Sequence, residues 1–120
     1  MTSNPTLFEV RLLLPDTQSP IEAKTIQVSP DQHIWDAAFA AGITLPALCH
    51  QGRCLTCAAR LEDGGTVDQS DSVSYYPEDR EAGFILPCTG KARSNLTIHT
   101  HQAAAMRNHR KQKNLPAPYS

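Results

Sequence analysis

Several absences narrow what this chain of 120 residues can be. No apolar run approaches the roughly 20 residues that a membrane-spanning helix needs. The first six residues contain neither the basic region nor the apolar region of a secretory signal. The length suits one domain with a single modest core. We therefore expect a cytoplasmic protein without a membrane span, in a reducing compartment where structural disulfides are rare.

Acidic residues are missing from the end of the chain and concentrated in its middle. Residues 106–120 contain no acid, and their basic residues are Arg107, Arg110, Lys111 and Lys113. The acidic cluster consists of Glu62, Asp63, Asp68, Asp71, Glu78, Asp79 and Glu81. Such charges most often form a solvated face. Here we favour a negative surface that steers a positively charged partner.

Cysteine is scarce, and its spacing is the most informative feature of the sequence. The only four cysteines are Cys49, Cys54, Cys57 and Cys88. The spacing C-x4-C-x2-C with a distant fourth cysteine is that of plant-type [2Fe–2S] proteins. Two irons bridged by sulfides need four thiolates, of which a tight loop can present three. Gly52 lies inside this loop, where it lets the backbone pass close to the sulfurs.

Three other chemistries fit these cysteines less well. Structural zinc usually takes two short cysteine pairs, and the lone Cys88 does not supply the second. An even number of cysteines permits disulfides, but the expected compartment disfavours them. The pair Cys54 and Cys57 has the spacing of a thioredoxin-like redox site, which should open a helix after a strand. The residues from Ala58 to Leu61 read equally well as entry to a strand.

The pattern of apolar residues predicts a mixture of strands and helices. Alternation predicts strands over residues 8–14, from about 25 to 28, and over 96–101. Ser29 and Gln32 have the spacing of a capping box, which predicts a helix from Pro30 to about Ala41, ended by Gly42. Shorter strands are expected over 58–63 and 83–88, with a helical turn over 77–82. This order does not repeat as βαβ units, so it indicates an α+β fold.

Several blocks in order give the sequence a specific resemblance. Residues 42–49, 65–71, 81–88 and 96–101, together with the cysteine spacing, resemble the plant-type [2Fe–2S] ferredoxins of chloroplasts and cyanobacteria. The similarity runs from about Leu7 to Gln102. It implies a β-grasp (ubiquitin-like) fold, a mixed sheet with one main helix packed on it. We expect a ferredoxin domain over 1–105 and a basic, proline-containing extension over 106–120.

The resemblance also implies a function. A plant-type ferredoxin is a one-electron carrier rather than an enzyme, with one low-potential [2Fe–2S] cluster as its cofactor. Cys49 and Cys54 should bind one iron, and Cys57 and Cys88 the other. The implied partners are redox proteins of photosynthetic electron transport, such as a photosystem or ferredoxin-dependent reductases. We expect a monomer, with no nucleic acid among its partners.

The chain departs from the family at positions associated with partner choice. The family usually has an aromatic residue at the position of Ser74, an acid at that of Ala103 and a serine at that of Leu55. Contacts with ferredoxin–NADP reductase are therefore expected to be altered. The alternative function is a redox-responsive or iron-responsive regulatory protein whose cluster state gates partner binding. Residues 106–120 contain little apolar surface, so we expect them to serve association rather than the fold.

Overall fold

The computed structural model describes residues 7–15, 22–52, 54–62 and 64–117, and its elements confirm an α+β protein. Within these ranges, no helix is both long and apolar enough to span a bilayer. The elements in chain order are β1 (Phe8–Leu14), β2 (Glu22–Val28), α1 (Ile34–Ala40), β3 (Ala59–Leu61), β4 (Val67–Asp68), α2 (Pro77–Glu81), β5 (Phe84–Ile85), β6 (Lys91–Ala92), β7 (Leu96–His99) and α3 (Ala103–Gln112).

The five-stranded sheet has the mixed topology that the resemblance implied. Its strand order is β2-β1-β7-β3-β5, and β4 and β6 form a separate two-stranded sheet. Strands β1 and β7 run parallel, with Leu12 opposite Ile98, while the other pairs are antiparallel. With α1 packed on one face, the sheet has the β-grasp arrangement.

The main core lies between α1 and the sheet. Alternate residues of β1, such as Val10 and Leu12, are fully buried because successive side chains of a strand point to opposite faces. Ile34 and Ala38 of α1 meet them from above, at the i, i+4 spacing of one helix face. Hydrophobic periodicity alone therefore accounts for this part of the fold.

Helix α1 begins four residues later than the sequence indicated. The Gln32 side chain does accept a hydrogen bond from the backbone N–H of Ser29, at 3.4 Å, as the capping box requires. Nevertheless, the helix starts at Ile34, and residue 33 caps it without a side-chain hydrogen bond. The predicted end is confirmed, since Gly42 follows the helix with φ +85°.

The C-terminal part of the chain packs on the body, which corrects an expectation from the sequence. Helix α3 crosses the predicted domain boundary at residue 105. Its Met106 and Arg110 are completely buried, and Arg110 forms an ion pair of 2.8 Å with the equally buried Asp79. The expectation that residues 106–120 bury little is therefore wrong for these side chains. The hydropathy of α3 does not reveal its buried face, because one of the two buried side chains is the charged Arg110. Its partner, Asp79, is distant in sequence.

The acidic cluster is also less available than the sequence suggested. Asp79 is buried, so it cannot contribute to a steering surface. Asp68 pairs with Arg93 at 3.0 Å, and Asp71 pairs with Lys91 at 3.2 Å. Paired charges of opposite sign largely cancel at a distance, so the field of this region is weaker than its count of acids implies.

Candidate iron–sulfur site

All four cysteines lie on irregular backbone rather than in helices or strands. Cys49, Cys54 and Cys57 belong to the segment between α1 and β3, which we call the cluster loop (residues 45–58). Cys88 follows β5, on a separate segment of the chain. Cys49 is partly exposed and the other three are buried, and none of the four forms a disulfide. Three of the thiols therefore belong to one loop, and a separate segment supplies the fourth.

Cys57 and Cys88 are in direct contact. The Cys57 thiol donates to the Cys88 sulfur over 2.8 Å, too long for a disulfide bond of about 2.05 Å. This hydrogen bond and burial raise the pKa of Cys57 well above its usual range. The same hydrogen bond lowers the pKa of Cys88, with help from the Gly52 N–H. Binding a metal ion here requires both sulfurs as thiolates and would therefore release the shared proton.

The other two cysteines lie close enough to act on this pair electrostatically. Charge on Cys49 raises the pKa of Cys88, and charge on Cys54 raises that of Cys57. The Cys49 sulfur also accepts the backbone N–H of Gln51 at 3.4 Å. Among the residues that the structure describes, no three thiol, imidazole or carboxyl groups converge closely enough to hold a single metal ion. The structure brings together Cys57 and Cys88, with Cys49 and Cys54 beside them.

Gly52 fits the loop because any other residue would be strained at its position. Its φ of +74° belongs to the left-handed region that glycine tolerates. A Cβ atom there would lie 2.5 Å from Thr89 Oγ1 and 2.8 Å from Ser72 Cα. The Gly52 backbone can therefore lie close enough to Cys88 for its N–H to lower the pKa of that thiol. Backbone N–H donors to sulfur are a usual means of stabilising an iron–sulfur cluster, so this environment fits one.

Among the described residues of the loop, two adopt the left-handed conformation without being glycine. His50 has φ 55° and Leu55 has φ 66°, each at a cost of about 1–2 kcal/mol. His50 makes an edge-to-face contact with the Trp35 ring, with centroids 4.7 Å apart. Leu55 is completely buried, in a cluster with Met106 of α3. Tertiary contacts therefore offset the strain of the loop at both positions.

The start of helix α1 positions the segment around Cys88. The Ile34 N–H donates to the carbonyl oxygen of Gly90, and the Trp35 N–H to that of Pro87, both at 2.9 Å. These bonds satisfy N–H groups that every helix leaves free in its first turn. They also explain the late start of α1, since the residues flanking Cys88 replace a side-chain cap.

Gln69 is a site residue that the sequence did not single out. It is buried, and its Oε1 accepts the Leu86 N–H at 2.8 Å. Its Nε2 donates to the Ser72 hydroxyl at 2.7 Å, and that hydroxyl is 2.7 Å from the Thr89 hydroxyl. This network joins the segment before Cys88 to the backbone beneath the loop. A glutamine among acids gives no sequence signal for such a role.

Helix α3 contacts the cluster loop as well, and this contact too was missed. Arg107 donates from Nη2 to the Cys54 carbonyl oxygen at 2.9 Å. Arg110 donates to the Ser74 carbonyl oxygen at 2.7 Å, and the Ser74 N–H donates to the Gly52 carbonyl oxygen at 3.0 Å. The basic residues of the C-terminal segment therefore support the loop from outside.

Comparisons with known proteins agree with this geometry. The model of the family described as "2Fe-2S iron-sulfur cluster binding domain" matches residues 19–93. Ferredoxin-2 of Synechococcus sp. is 43% identical over 81 residues, covering 68% of this chain and 76% of its own. Heterocyst ferredoxin of Microchaete diplosiphon is 42% identical over 95 residues, covering 79% and 92%. The crystal structure of pectocin M2 matches with a TM-score of 0.65 and 32% identity, over 81% of this chain and 33% of that one.

The fold and the cysteine positions are those of an iron–sulfur protein, and the ferredoxin relatives indicate a protein that transfers electrons. The chain belongs to the plant-type [2Fe–2S] ferredoxin family. Its cofactor is one [2Fe–2S] cluster, and its function is to carry electrons. These conclusions confirm the fold, cofactor and function that the resemblance implied.

Proposed function

We propose that this protein is a low-potential, one-electron carrier in which Cys49, Cys54, Cys57 and Cys88 are the four ligands of the cluster. The observation that carries the proposal is the direct contact of Cys57 with Cys88, at 2.8 Å, which joins the cluster loop to the segment that holds the fourth cysteine. When bound by these thiolates, a [2Fe–2S] cluster supplies a centre that takes up and releases one electron. The protein contributes the thiolates, the N–H donors and a largely buried site.

The four ligands should divide into two pairs. Cys57 and Cys88 would bind one iron, and their direct contact supports this assignment. Cys49 and Cys54 would bind the other. Because Cys49 is the only one of the four that is partly exposed, the second iron would be nearer to a docked partner.

Burial and sulfur ligands both favour a low potential. Plant-type clusters have potentials of about −400 mV, since thiolate and sulfide charges resist a further electron. Hydrogen bonds from Gln51 and Gly52 act in the opposite direction, because they stabilise negative charge on sulfur. We therefore expect a value near the family range.

The partners should be redox proteins, and we propose a photosystem or ferredoxin-dependent reductases. We also propose that the protein is a monomer in the cytoplasm. The cyanobacterial relatives support this assignment. Contacts with ferredoxin–NADP reductase should differ from those of the family. The Ser74 carbonyl is bound by Arg110, and Ala103 is the first residue of α3. Both positions are thus engaged with the C-terminal helix.

Anaerobic purification tests the cluster and its ligands. We expect a red-brown protein with one-electron reduction to the paramagnetic signal of a [2Fe–2S] pair. Replacing each cysteine in turn with serine should abolish or cripple the cluster, whereas Ser94→Ala, away from the loop, should retain it. A colourless protein with stoichiometric zinc would contradict the proposal.

The reductase contact is tested separately. Introducing Ser74→Phe together with Ala103→Glu should speed electron transfer to ferredoxin–NADP reductase, measured by stopped flow, without much change in potential. Each side chain restores a contact able to alter orientation or encounter. An unchanged rate would show that these two positions do not govern the contact.

A second candidate function is a redox-responsive or iron-responsive regulator. One observation favours it: Arg107 of α3 is hydrogen-bonded to the cluster loop. A change in the conformation of the loop would therefore alter the position of the helix. Binding partners captured with oxidised, reduced and cluster-free protein would separate the two functions. A carrier gives the same set of redox proteins in the first two states, whereas a regulator gives a partner that depends on the state.

A further inference from the structure

We propose that Arg107 is a positioning residue for the cluster loop: its guanidinium fixes the turn between Cys54 and Cys57 and so slows loss of the cluster. The inference rests on the proposed function, because it takes both cysteines as iron ligands. It extends that function by assigning helix α3 a role at the redox centre. The departure of this chain from its family at the C-terminus then acquires a physical reason.

Arg107 contacts the turn on both sides of its strained residue. Its Nη2 donates to the Cys54 carbonyl oxygen at 2.9 Å and to the Thr56 hydroxyl at 3.0 Å. Leu55, between them, has φ 66°, a conformation that is unfavourable for a bulky L-residue. Such backbone strain persists only where the surrounding contacts over-determine it. The two hydrogen bonds lie where they oppose relaxation of Leu55.

The same turn is bonded to the start of the helix. The Leu55 carbonyl oxygen accepts the Ala58 N–H at 3.1 Å, which closes the turn. The Ala58 carbonyl oxygen in turn accepts the N–H of Gln102 at 2.9 Å, one residue before α3. Both ends of the turn are therefore bonded to α3 or to the residue before it. The Ala58 carbonyl accepts from the Gln102 backbone, and the Cys54 carbonyl accepts from the Arg107 side chain.

Buried residues on either side of Arg107 hold helix α3 in place. Arg110 and Asp79 are both completely buried and pair through two hydrogen bonds, of 2.8 Å and 3.2 Å. Met106, beside Arg107, is fully buried in the same cluster as Leu55 and Cys57. A helix anchored in this way cannot move away from the loop without exposing these groups. Arg107 is therefore held at the turn rather than merely able to reach it.

Arginine suits this position for two separable reasons. Both hydrogen bonds come from Nη2, whose N–H groups have fixed directions in the guanidinium plane, whereas the N–H groups of a lysine ammonium rotate on a flexible stem. The permanent positive charge of arginine also favours the extra negative charge that the site acquires on reduction. Arg107→Lys keeps the charge and disturbs the hydrogen bonds, whereas Arg107→Met removes both. The two variants therefore distinguish positioning from charge.

The test compares Arg107→Met with Lys111→Met in the complete, cluster-loaded protein. Lys111 is exposed on the same helix, so its variant removes an equal charge away from the turn. The visible absorbance after addition of an iron chelator gives the rate of cluster loss. Hydrogen exchange by mass spectrometry gives the protection of residues 54–58. We expect Arg107→Met to lose its cluster at least about tenfold faster than wild type, because it removes two hydrogen bonds from a charged donor. Lys111→Met should match wild type.

The potential supplies a readout that a purely structural role would not move. We expect Arg107→Met to shift it downwards and Arg107→Lys to leave it near the wild-type value while still losing the cluster faster. Full recovery of cluster lifetime by lysine would overturn the positioning role, because charge alone would then suffice. So would an Arg107→Met protein whose cluster loss and exchange equal those of Lys111→Met.

Two further outcomes keep the two proposals apart. If Arg107→Met does not fold, Arg107→Lys is compared with Lys111→Arg, and equal rates of cluster loss overturn the inference. If wild-type protein holds no [2Fe–2S] cluster, or keeps it after Cys54→Ser and Cys57→Ser, the proposed ligands are wrong. A cluster that depends on the cysteines but not on Arg107 overturns the positioning role alone.

Discussion

The sheet with α1 and the cluster loop with α3 are built on different principles. In the first region, regular backbone ladders and alternating apolar residues such as Leu12 and Ile98 form the core. In the second, irregular backbone is fixed by side-chain hydrogen bonds over long sequence distances, such as that from Arg107 to Cys54. The sheet distributes its stability over many similar contacts, whereas the loop depends on a few specific ones.

This difference follows from what each region must do. A sheet needs only to bury apolar surface, which many residue combinations achieve. The loop must present thiols and N–H groups in one arrangement. In a helix or a strand, these N–H groups would donate to backbone carbonyl groups and would not be free to donate to sulfur. Left-handed residues such as Gly52 and Leu55 leave those groups available; glycine tolerates this conformation, whereas Leu55 adopts it at a cost in strain. Predictions that separate the regions should therefore distinguish global stability from cluster lifetime.

The largest effect should come from the buried ion pair that anchors α3. Arg110→Met leaves Asp79 charged and without its main partner, at a cost of about 3–5 kcal/mol in the free energy of unfolding. Urea denaturation measures it, with Lys111→Met as a control expected within about 0.5 kcal/mol of wild type. Adding Asp79→Leu to Arg110→Met should recover part of the loss. A wild-type stability for Arg110→Met would mean that α3 is not anchored by this pair.

The next effect should come from Gly52, with another glycine as its matched control. Gly52→Ala places a Cβ 2.8 Å from Ser72 Cα at φ +74°, and we expect about 2–4 kcal/mol of destabilisation with rapid cluster loss. Gly64 has φ +59°, but a Cβ added there would meet nothing within 4 Å, so Gly64→Ala should cost only about 1 kcal/mol. Equal stability of the two variants would show that the close approach of the backbone at Gly52 does not contribute to stability.

A smaller effect should be confined to the sheet. Ile98→Val removes one methylene group from a fully buried position, which costs about 0.5–1.5 kcal/mol. Because β7 does not contribute a cysteine, the visible spectrum and the rate of cluster loss should stay at wild-type values. A changed cluster lifetime in this variant would show that the two regions are coupled more tightly than their contacts indicate.

The smallest effect should be a pH dependence at Asp71. Hydrogen bonds from His33 and Lys91 hold the pKa of its carboxyl below the usual range. A depressed folded-state pKa gives stability that is present above the unfolded pKa of about 4 and is lost as pH falls through the folded value. Asp71→Asn should therefore lower stability slightly at pH 7, and the difference from wild type should disappear in acid. Thermal melts from pH 7 to pH 2 measure it, and a constant difference would contradict the assignment.

The C-terminal helix illustrates where sequence reasoning was misleading. Residues 106–120 read as a basic extension because only Met106 is strongly apolar within the helical part. Burial of Arg110 depends on Asp79, 31 residues earlier, and neither residue signals that pairing by itself. Likewise, the sequence indicates the loss of a contact with a partner protein at Leu55, although its side chain is buried in a cluster with Met106. Long-range pairs of this kind leave no local periodicity for a sequence pattern to detect.

The sequence by itself determined the class of the protein. The spacing of Cys49, Cys54 and Cys57, followed by the distant Cys88, is a recognisable pattern that indicated the cofactor. The alternation in β1 and β7 predicted the strands, because that signal lies within a few residues of chain. Only the tertiary structure decided that α1 starts at Ile34, that Gln69 supports the approach to Cys88, and that α3 packs on the cluster loop. The physical reason is that these three features satisfy backbone N–H and carbonyl groups across the fold, and their partners meet only when the chain has folded.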